Sequence, residues 1–284
     1  MPTVILGAGG QLGSQLAALW PEAIPLPRSR CDLGQLETLP GVLDETEPTL
    51  LVNCAAYNQV DRAEVEPVAA WQINALAPRA LAHYCRERQI PLVHISTDFV
   101  FGRDSQRSTP YSETDAPGPL SVYGTTKLAG EHFVLAASEQ NLVIRTCGLY
   151  GHGGTGNFVR TMLRLARENK SIKVVNDQTC APTSIRDLAE AIDHLIATRA
   201  TGLFHFVNSG AITWYEFARE IFSFLKLNVD LSPTTSREFA APAQRPPYSV
   251  LNCDRYHHQT EQAIRDIKSA LHEYLTELTT REQH

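Results

Sequence analysis

The sequence has no segment built for a membrane and no charge surplus built for nucleic acid. No apolar run approaches the roughly 20 residues that a helix needs to cross a bilayer. Acidic residues outnumber basic ones, 31 to 25, leaving a net charge of −6. That balance excludes the broad basic footprint of a nucleic-acid or anionic-membrane binder, though a locally positive pocket for an anionic ligand remains compatible with it. The six cysteines, at 31, 54, 85, 147, 180 and 253, include no CxxC and no pair at metal-ligand spacing. They read as buried small hydrophobes of a protein kept in a reducing compartment. The opening MPTVILGAGG enters a strand at once, with no basic stretch leading into a long apolar core, so no secretory leader is expected. Internal repeats and low-complexity tracts are missing too. These absences leave a cytoplasmic soluble protein, an enzyme by expectation.

What is present is enough apolar material for a large core: 284 residues, 43% hydrophobic and 20% charged. Short β-branched runs alternate with helical patterns over the first two hundred residues. TVILGA (3–8), AIPL (23–26), TLLVNCA (49–55), PLVHIST (91–97), NLVIRTC (141–147) and GLFHFVN (202–208) read as strands. Helical periods fall near 11–20, 67–88, 122–138, 156–168 and 184–198. That alternation predicts an α/β fold, a doubly wound parallel sheet of βαβ units. After Asn208 the texture changes to a helix over TWYEFAREIFSFLKL, a proline-rich polar stretch (232–252) and a closing helix near 260–278. This tail is expected to cap the ligand edge of the sheet, with 236–249 as a substrate loop.

Between the first strand and the first helix stands LGAGGQLGSQL, with glycines at 7, 10 and 13. Gly7 permits the tight turn, Gly10 lets the backbone approach a pyrophosphate, and Gly13 allows helix and strand to pack closely. Gln11 and Leu12 open the helix whose free N–H groups and positive dipole end would face the diphosphate. In the first strand–helix unit of an alternating pattern, the triplet predicts dinucleotide binding. An NAD enzyme often carries an acid about 20 residues on. Here PLPRSRCDL puts Arg28 and Arg30 there, which leans toward the 2′-phosphate of NADPH over NADH, unless both arginines are solvated surface charges. Asp32 and Leu33 follow as candidates for the adenine edge.

The strand HIST ends in Thr97, at the sheet edge where open α/β folds bind ligands. Tyr123 and Lys127 come some 26 residues later, four apart on a helical pattern, so phenol and ammonium can face one pocket. Beside a nicotinamide, a hydroxyl, a tyrosine and a lysine form a proton-transfer set for carbonyl reduction. Tyr123 would donate the proton, Thr97 orient the carbonyl, and Lys127 hold the cofactor ribose while acidifying the phenol. Bringing a tyrosine from pKa 10 to 7 takes roughly 4 kcal/mol. Reduction needs the protonated phenol and therefore only modest tuning.

These motifs resemble the extended short-chain dehydrogenase/reductases. VNCAAYNQVDRAE (52–64), STDFVF (96–101), SVYGTTKLAGE (121–131), VVNDQTCAPT (174–183), NSGAITWYEFA (208–218) and RPPYSVL (245–251) resemble the dTDP-4-dehydrorhamnose reductase family over nearly the whole chain. The resemblance implies a Rossmann-type domain of residues 1–147 and about 184–208, with a smaller, discontinuous substrate-binding domain of about 148–183 and 209–284. It implies NAD(P)H-dependent reduction of the 4-keto group of dTDP-4-dehydro-L-rhamnose, with Tyr123 and Lys127 as the catalytic pair and Thr97 as their partner. Gly10, Gln11, Leu12, Asp32, Leu33, Ala55, Ala56 and Tyr57 fall on cofactor positions, and Thr97 and Asp98 on substrate contacts. Arg245 suits the nucleotide diphosphate. Asn74 could orient the site through a buried amide.

The chain departs from the family in two places. Gly148 stands where a tryptophan is expected to pack on the sugar, which leaves the sugar's identity open. Gln15 stands at one of the glutamates through which some members bind magnesium at a dimer interface, so no metal is expected, while a homodimer stays compatible. Two other readings are kept. A sugar-nucleotide dehydratase or epimerase is disfavoured because Asp98 is followed by Phe99 and not by glutamate. A non-catalytic NADP-binding subunit, like the methionine adenosyltransferase beta subunit, is disfavoured because a binding module has no use for Thr97, Tyr123 and Lys127 together.

Overall fold

The computed structural model describes residues 2–168 and 171–282. Its main sheet contains β1 (Thr3–Leu6), β2 (Ile24–Leu26), β3 (Leu50–Asn53), β4 (Leu92–Thr97) and β5 (Leu142–Thr146). Further along the chain, β6 (Ile172–Val175) and β7 (Thr179–Cys180) lie outside this sheet, and β8 (Gly202–His205) completes it. All six strands run parallel in the order β2-β1-β3-β4-β5-β8. Both faces of such a sheet must be covered, and β4 and β5 are accordingly buried along their full length.

Helices α1 (Gln11–Leu19) and α8 (Ile185–Ala197) cover one face, packing Leu12, Leu16, Leu188, Ile192 and Leu195 against Ile5, Val52 and Ile144. The other face is covered by α2 (Leu39–Asp44), α5 (Ala77–Arg88) and α6 (Val122–Ala137), through Leu43, Leu81, Cys85 and Val134. Two short helices, α3 (Val60–Ala63) and α4 (Pro67–Trp71), lie between β3 and α5. The helix expected over 67–88 runs unbroken, with Gln72–Leu76 closing as a π turn between α4 and α5. Pro78 has no N–H for the Asn74 carbonyl, and Gly130 of α6 packs so close that a Cβ there would lie 2.2 Å from that carbonyl oxygen.

A third core lies beyond the sheet's carboxyl edge, where Phe101, Tyr111, Tyr150, Phe217, Ile221, Leu271 and Leu275 are buried together. It is built from α7 (Phe158–Arg167), β9 (Ile212–Thr213), α9 (Trp214–Phe224), β10 (Leu231–Thr234) and α12 (Ile267–Glu282), with β6 and β7. The short α10 (Ser236–Phe239) buries no residue, and α11 (Asp254–Thr260) packs Tyr256 on the α8 side of the main sheet. The proline-rich stretch thus opens on a strand, and α10 takes up the first four residues of the 236–249 segment read as a loop. β10 pairs in parallel with β6, with Pro233 opposite Val174, which proline tolerates in a two-stranded edge pair. The closing helix expected near 260–278 is α12, and before it stands the short α11, which ends at Glu261 in the left-handed conformation, φ 57°. Asp266 then caps α12 by accepting from the backbone N–H groups of Lys268 and Ser269, both at 3.0 Å.

Candidate active site

The sheet order reverses direction between β1 and β3, and at that switch point the carboxyl ends diverge into a cleft of about 470 Å³. Its floor is the first turn. Gly7 has φ 74°, and a Cβ there would meet the Ala55 backbone nitrogen at 2.7 Å. At Gly13 a Cβ would fall 2.4 Å from the Gly7 carbonyl oxygen, so helix and strand can touch only without a side chain. Gly10 starts α1 with no side-chain cap, which leaves the N–H groups of its first turn facing the cleft. Gln11 and Leu12 line this end. So do Arg28, Asp32 and Leu33 beyond β2, with Arg28 Nε 3.3 Å from an Asp32 carboxylate oxygen. Ala55 and Ala56 line the wall past β3.

The far end of the cleft is built by β4, β5 and α6. Thr97 ends β4, and its Oγ1 accepts from the Phe99 backbone N–H at 3.1 Å and donates to Asp98 at 3.1 Å. Ser121 caps α6 by accepting from the Gly124 N–H, which brings Tyr123 and Lys127 one turn apart over the Thr97 edge. Thr97, Tyr123, Lys127 and Gly148 all line this cleft. Burial pushes the Tyr123 phenol up to about 12, against the pull of the Thr97 hydroxyl. Burial pushes the Lys127 ammonium the other way, down to about 8, opposed by Glu131 and Cys54. Lys127 Nζ donates to the Ile95 carbonyl at 2.6 Å. Among the protein's own groups, Lys127 is not what pulls on the phenol; Thr97 is.

Four predicted residues stand off the cleft. Tyr57 turns its hydroxyl to Glu66 at 2.7 Å, and Asn58 lines the wall instead. Asn74 holds the Tyr57 main chain from both sides, accepting from its N–H at 2.8 Å and donating to its carbonyl at 3.0 Å. Asp98 is buried, accepting from Ser249 Oγ at 2.5 Å, and burial pushes its carboxyl up to about 6. Arg245 makes a two-pronged ion pair with Asp61, at 3.0 and 2.9 Å.

Sequence reasoning missed two groups here. The first is the loop GHGGTGN, which returns over the start of α1. Asn157 Nδ2 donates to Gln11 Oε1 at 2.8 Å, Gln11 Nε2 donates to the Gly156 carbonyl at 3.2 Å, and Gly156 lines the cleft. Four glycines within residues 151–156 were the available signal. The second is Trp214. Gly148 has φ 51°, and a Cβ there would meet the Trp214 ring edge at 2.9 Å, so an aromatic from α9 stands where the local sequence supplies none.

With this geometry in hand, comparison with known proteins is decisive. The sequence matches the RmlD substrate binding domain over residues 1–280. It belongs to that family. Among relatives of this RmlD-type chain, a probable dTDP-4,6-dihydroxy-2-methyloxan-3-one 4-ketoreductase of Streptomyces antibioticus is 40% identical, covering 99% of this chain and 97% of that protein. A dTDP-4-dehydrorhamnose reductase of Mycolicibacterium smegmatis is 38% identical over 94% of this chain and 83% of its own length. The fold superposes on a dTDP-4-dehydrorhamnose reductase from Bacillus anthracis, solved in complex with NADP, with a TM-score of 0.92 and 36% identity, covering 97% and 99% of the two chains. Among the described residues, no helix is long and apolar enough to cross a membrane, and no cluster of histidine, cysteine and carboxylate side chains forms a metal site.

Proposed function

We propose that this RmlD-family chain reduces the 4-keto group of a dTDP-linked 6-deoxy-4-keto sugar at the expense of NADPH or NADH, with dTDP-4-dehydro-L-rhamnose as the first substrate to test. The observation that carries this reading is a tyrosine, a threonine and a lysine at one end of a cleft whose other end is an uncapped glycine-rich helix start. The names of the relatives support a 4-ketoreductase, but they differ in the sugar.

The residues fit a dinucleotide. The bare N–H groups of α1 suit a diphosphate. Thr146 borders the cleft with a buried hydroxyl that has no partner in the protein. Arg28 at the open end suits a 2′-phosphate. Gly7, Gly10, Gln11, Leu12, Gly13, Asp32, Leu33, Ala55 and Ala56 would hold the rest. Bound there, a reduced nicotinamide supplies the hydride.

The protein supplies everything else. Thr97 orients the substrate carbonyl, and Tyr123 gives its proton to the oxygen as charge develops there. A phenol near 12 is protonated at pH 7, so the general acid needs no activation in this direction. Lys127 would hold the ribose from its tether on Ile95. The third core, fed by about 148–183 and 209–284, is the natural body of the sugar-binding lobe, with Trp214 contributing the apolar surface absent at Gly148.

The test follows absorbance at the nicotinamide band with NADPH or NADH and either sugar named above. Turnover is expected with at least one of them. Tyr123→Phe is expected to lose about 10²–10⁴-fold in kcat while cofactor affinity changes little. No oxidation with any sugar would sink the function, and unchanged turnover in the variant would sink the mechanism.

A further inference from the structure

One fully buried titratable group has no part in the chemistry above. His94, in the middle of β4, has no exposed surface and lies between Asn53 and Lys127. Asn53 Nδ2 is 3.1 Å from His94 Nδ1, and Lys127 Nζ is 3.4 Å from His94 Nε2. The polarity of this chain of contacts can be worked out from its far end. The backbone N–H of Ala55 can only donate, and it bonds Asn53 Oδ1 at 3.1 Å. The amide orientation is thereby set, and Nδ2 faces the imidazole as a donor. Nδ1 must then accept, so the single proton of neutral His94 sits on Nε2, aimed at Lys127. A second ring proton would set N–H against N–H at Asn53.

Lys127 already donates to the Ile95 carbonyl at 2.6 Å. Toward Nε2–H an ammonium presents donor against donor, whereas a neutral amine presents its lone pair. Other groups face the lysine as well. Cys54 approaches from the end of β3, and Tyr123 and Glu131 lie one turn to either side on α6. Glu131 favours the ammonium, but its carboxylate is already engaged by Ser96 and, at 2.7 Å, by Arg145. We propose that His94 is a positioning residue: its Nε2–H, oriented by Asn53, disfavours the Lys127 ammonium and eases the loss of its proton, a bias that a ligand oxygen would offset by giving the ammonium a further acceptor. The role of that ligand rests on the reading of the cleft given above, but the tautomer and the bias do not. Burial brings Lys127 down to about 8, and burial together with the lysine holds His94 well below its usual range.

Nuclear magnetic resonance on the protein without cofactor tests this independently of any turnover. Long-range proton–nitrogen correlations are expected to show His94 as the Nε2–H tautomer, and an Nδ1–H tautomer overturns the proposal. The Lys127 ε-carbon, assigned by its loss in Lys127→Met, is expected to titrate near 8; a titration at the usual lysine value overturns it. Asn53→Asp keeps the Ala55 bond but accepts from Nδ1–H, turning the imidazole around to receive the ammonium. The lysine titration should then rise by about one pH unit or more, a tenfold change in the ammonium-to-amine ratio. The same charge change made in a His94→Phe background isolates simple attraction to the new carboxylate. A smaller rise there supports the role of the imidazole, and an equal rise removes it. In turnover, the alkaline limb of kcat/KM should move with the lysine.

Discussion

Asp98 illustrates how far a single residue departs from its sequence reading. Expected as a substrate contact, it is instead buried behind Thr97, and desolvation outweighs the hydrogen bonds it accepts from Ser249, Cys147 and Thr97. Its folded pKa, about 6, is above the unfolded value. The stability it contributes is therefore present at low pH and is lost as pH rises through 6. Asp98→Asn removes that dependence, so the variant should gain on wild type between pH 4 and pH 7 by about 2 kcal/mol. Urea midpoints at the two pH values measure it, and a constant difference would mean the carboxyl titrates normally. Thr97, Tyr123 and Lys127 were legible because their spacing and the sheet edge imply a shared pocket. His94 and Trp214 were not. A histidine inside an apolar strand and a tryptophan opening a helix look like core, and only their neighbours distinguish them.

Elements were legible where one period ran unbroken. The main-sheet strands and their helices follow from apolar alternation that packing reinforces. The π turn at Gln72–Leu76 has one local signal, Pro78, which lacks the N–H that would bond the Asn74 carbonyl, and its other side rests on α6. The test is Gly130→Ala. In an exposed helix interior alanine would gain about 1 kcal/mol over glycine. Here the added Cβ would meet the Asn74 carbonyl at 2.2 Å, so we expect a net loss of about 2–4 kcal/mol in chemical denaturation. A stabilised variant would mean that α6 and the π turn separate freely. The pair β6 and β10 was hidden for a different reason: each strand is too short to declare itself, and its partner lies nearly sixty residues away.

At the scale of the molecule, the cleft lies between a sheet with two covered faces and a third core at its carboxyl edge. Contacts from the third core's segments reach the first layer at several places, Ser249 on Asp98 and Arg265 on Asp187 among them. Asn157 binds Gln11 at the start of α1, and Arg245 binds Asp61 on α3. The Arg245–Asp61 pair is partly exposed, so its loss should cost no more than about 1 kcal/mol. If Arg245 exchanges Asp61 for the diphosphate of the sugar nucleotide, Arg245→Met raises KM for that substrate about tenfold or more, with cofactor affinity and Tm nearly unchanged. An unaltered KM would confine Arg245 to the ion pair.

By itself the sequence determined the parallel α/β sheet, the glycine turn, and the Thr97, Tyr123 and Lys127 set. Each of these rests on interactions between residues close in the chain, or on a period that any fold must bury. Tertiary structure alone decided the protonation bias on Lys127, the turning of Tyr57 and Arg245 to carboxylate partners, and the ring that meets Gly148. Those outcomes depend on desolvation and on donor–acceptor matching between strands and helices far apart in the chain, which no local pattern encodes.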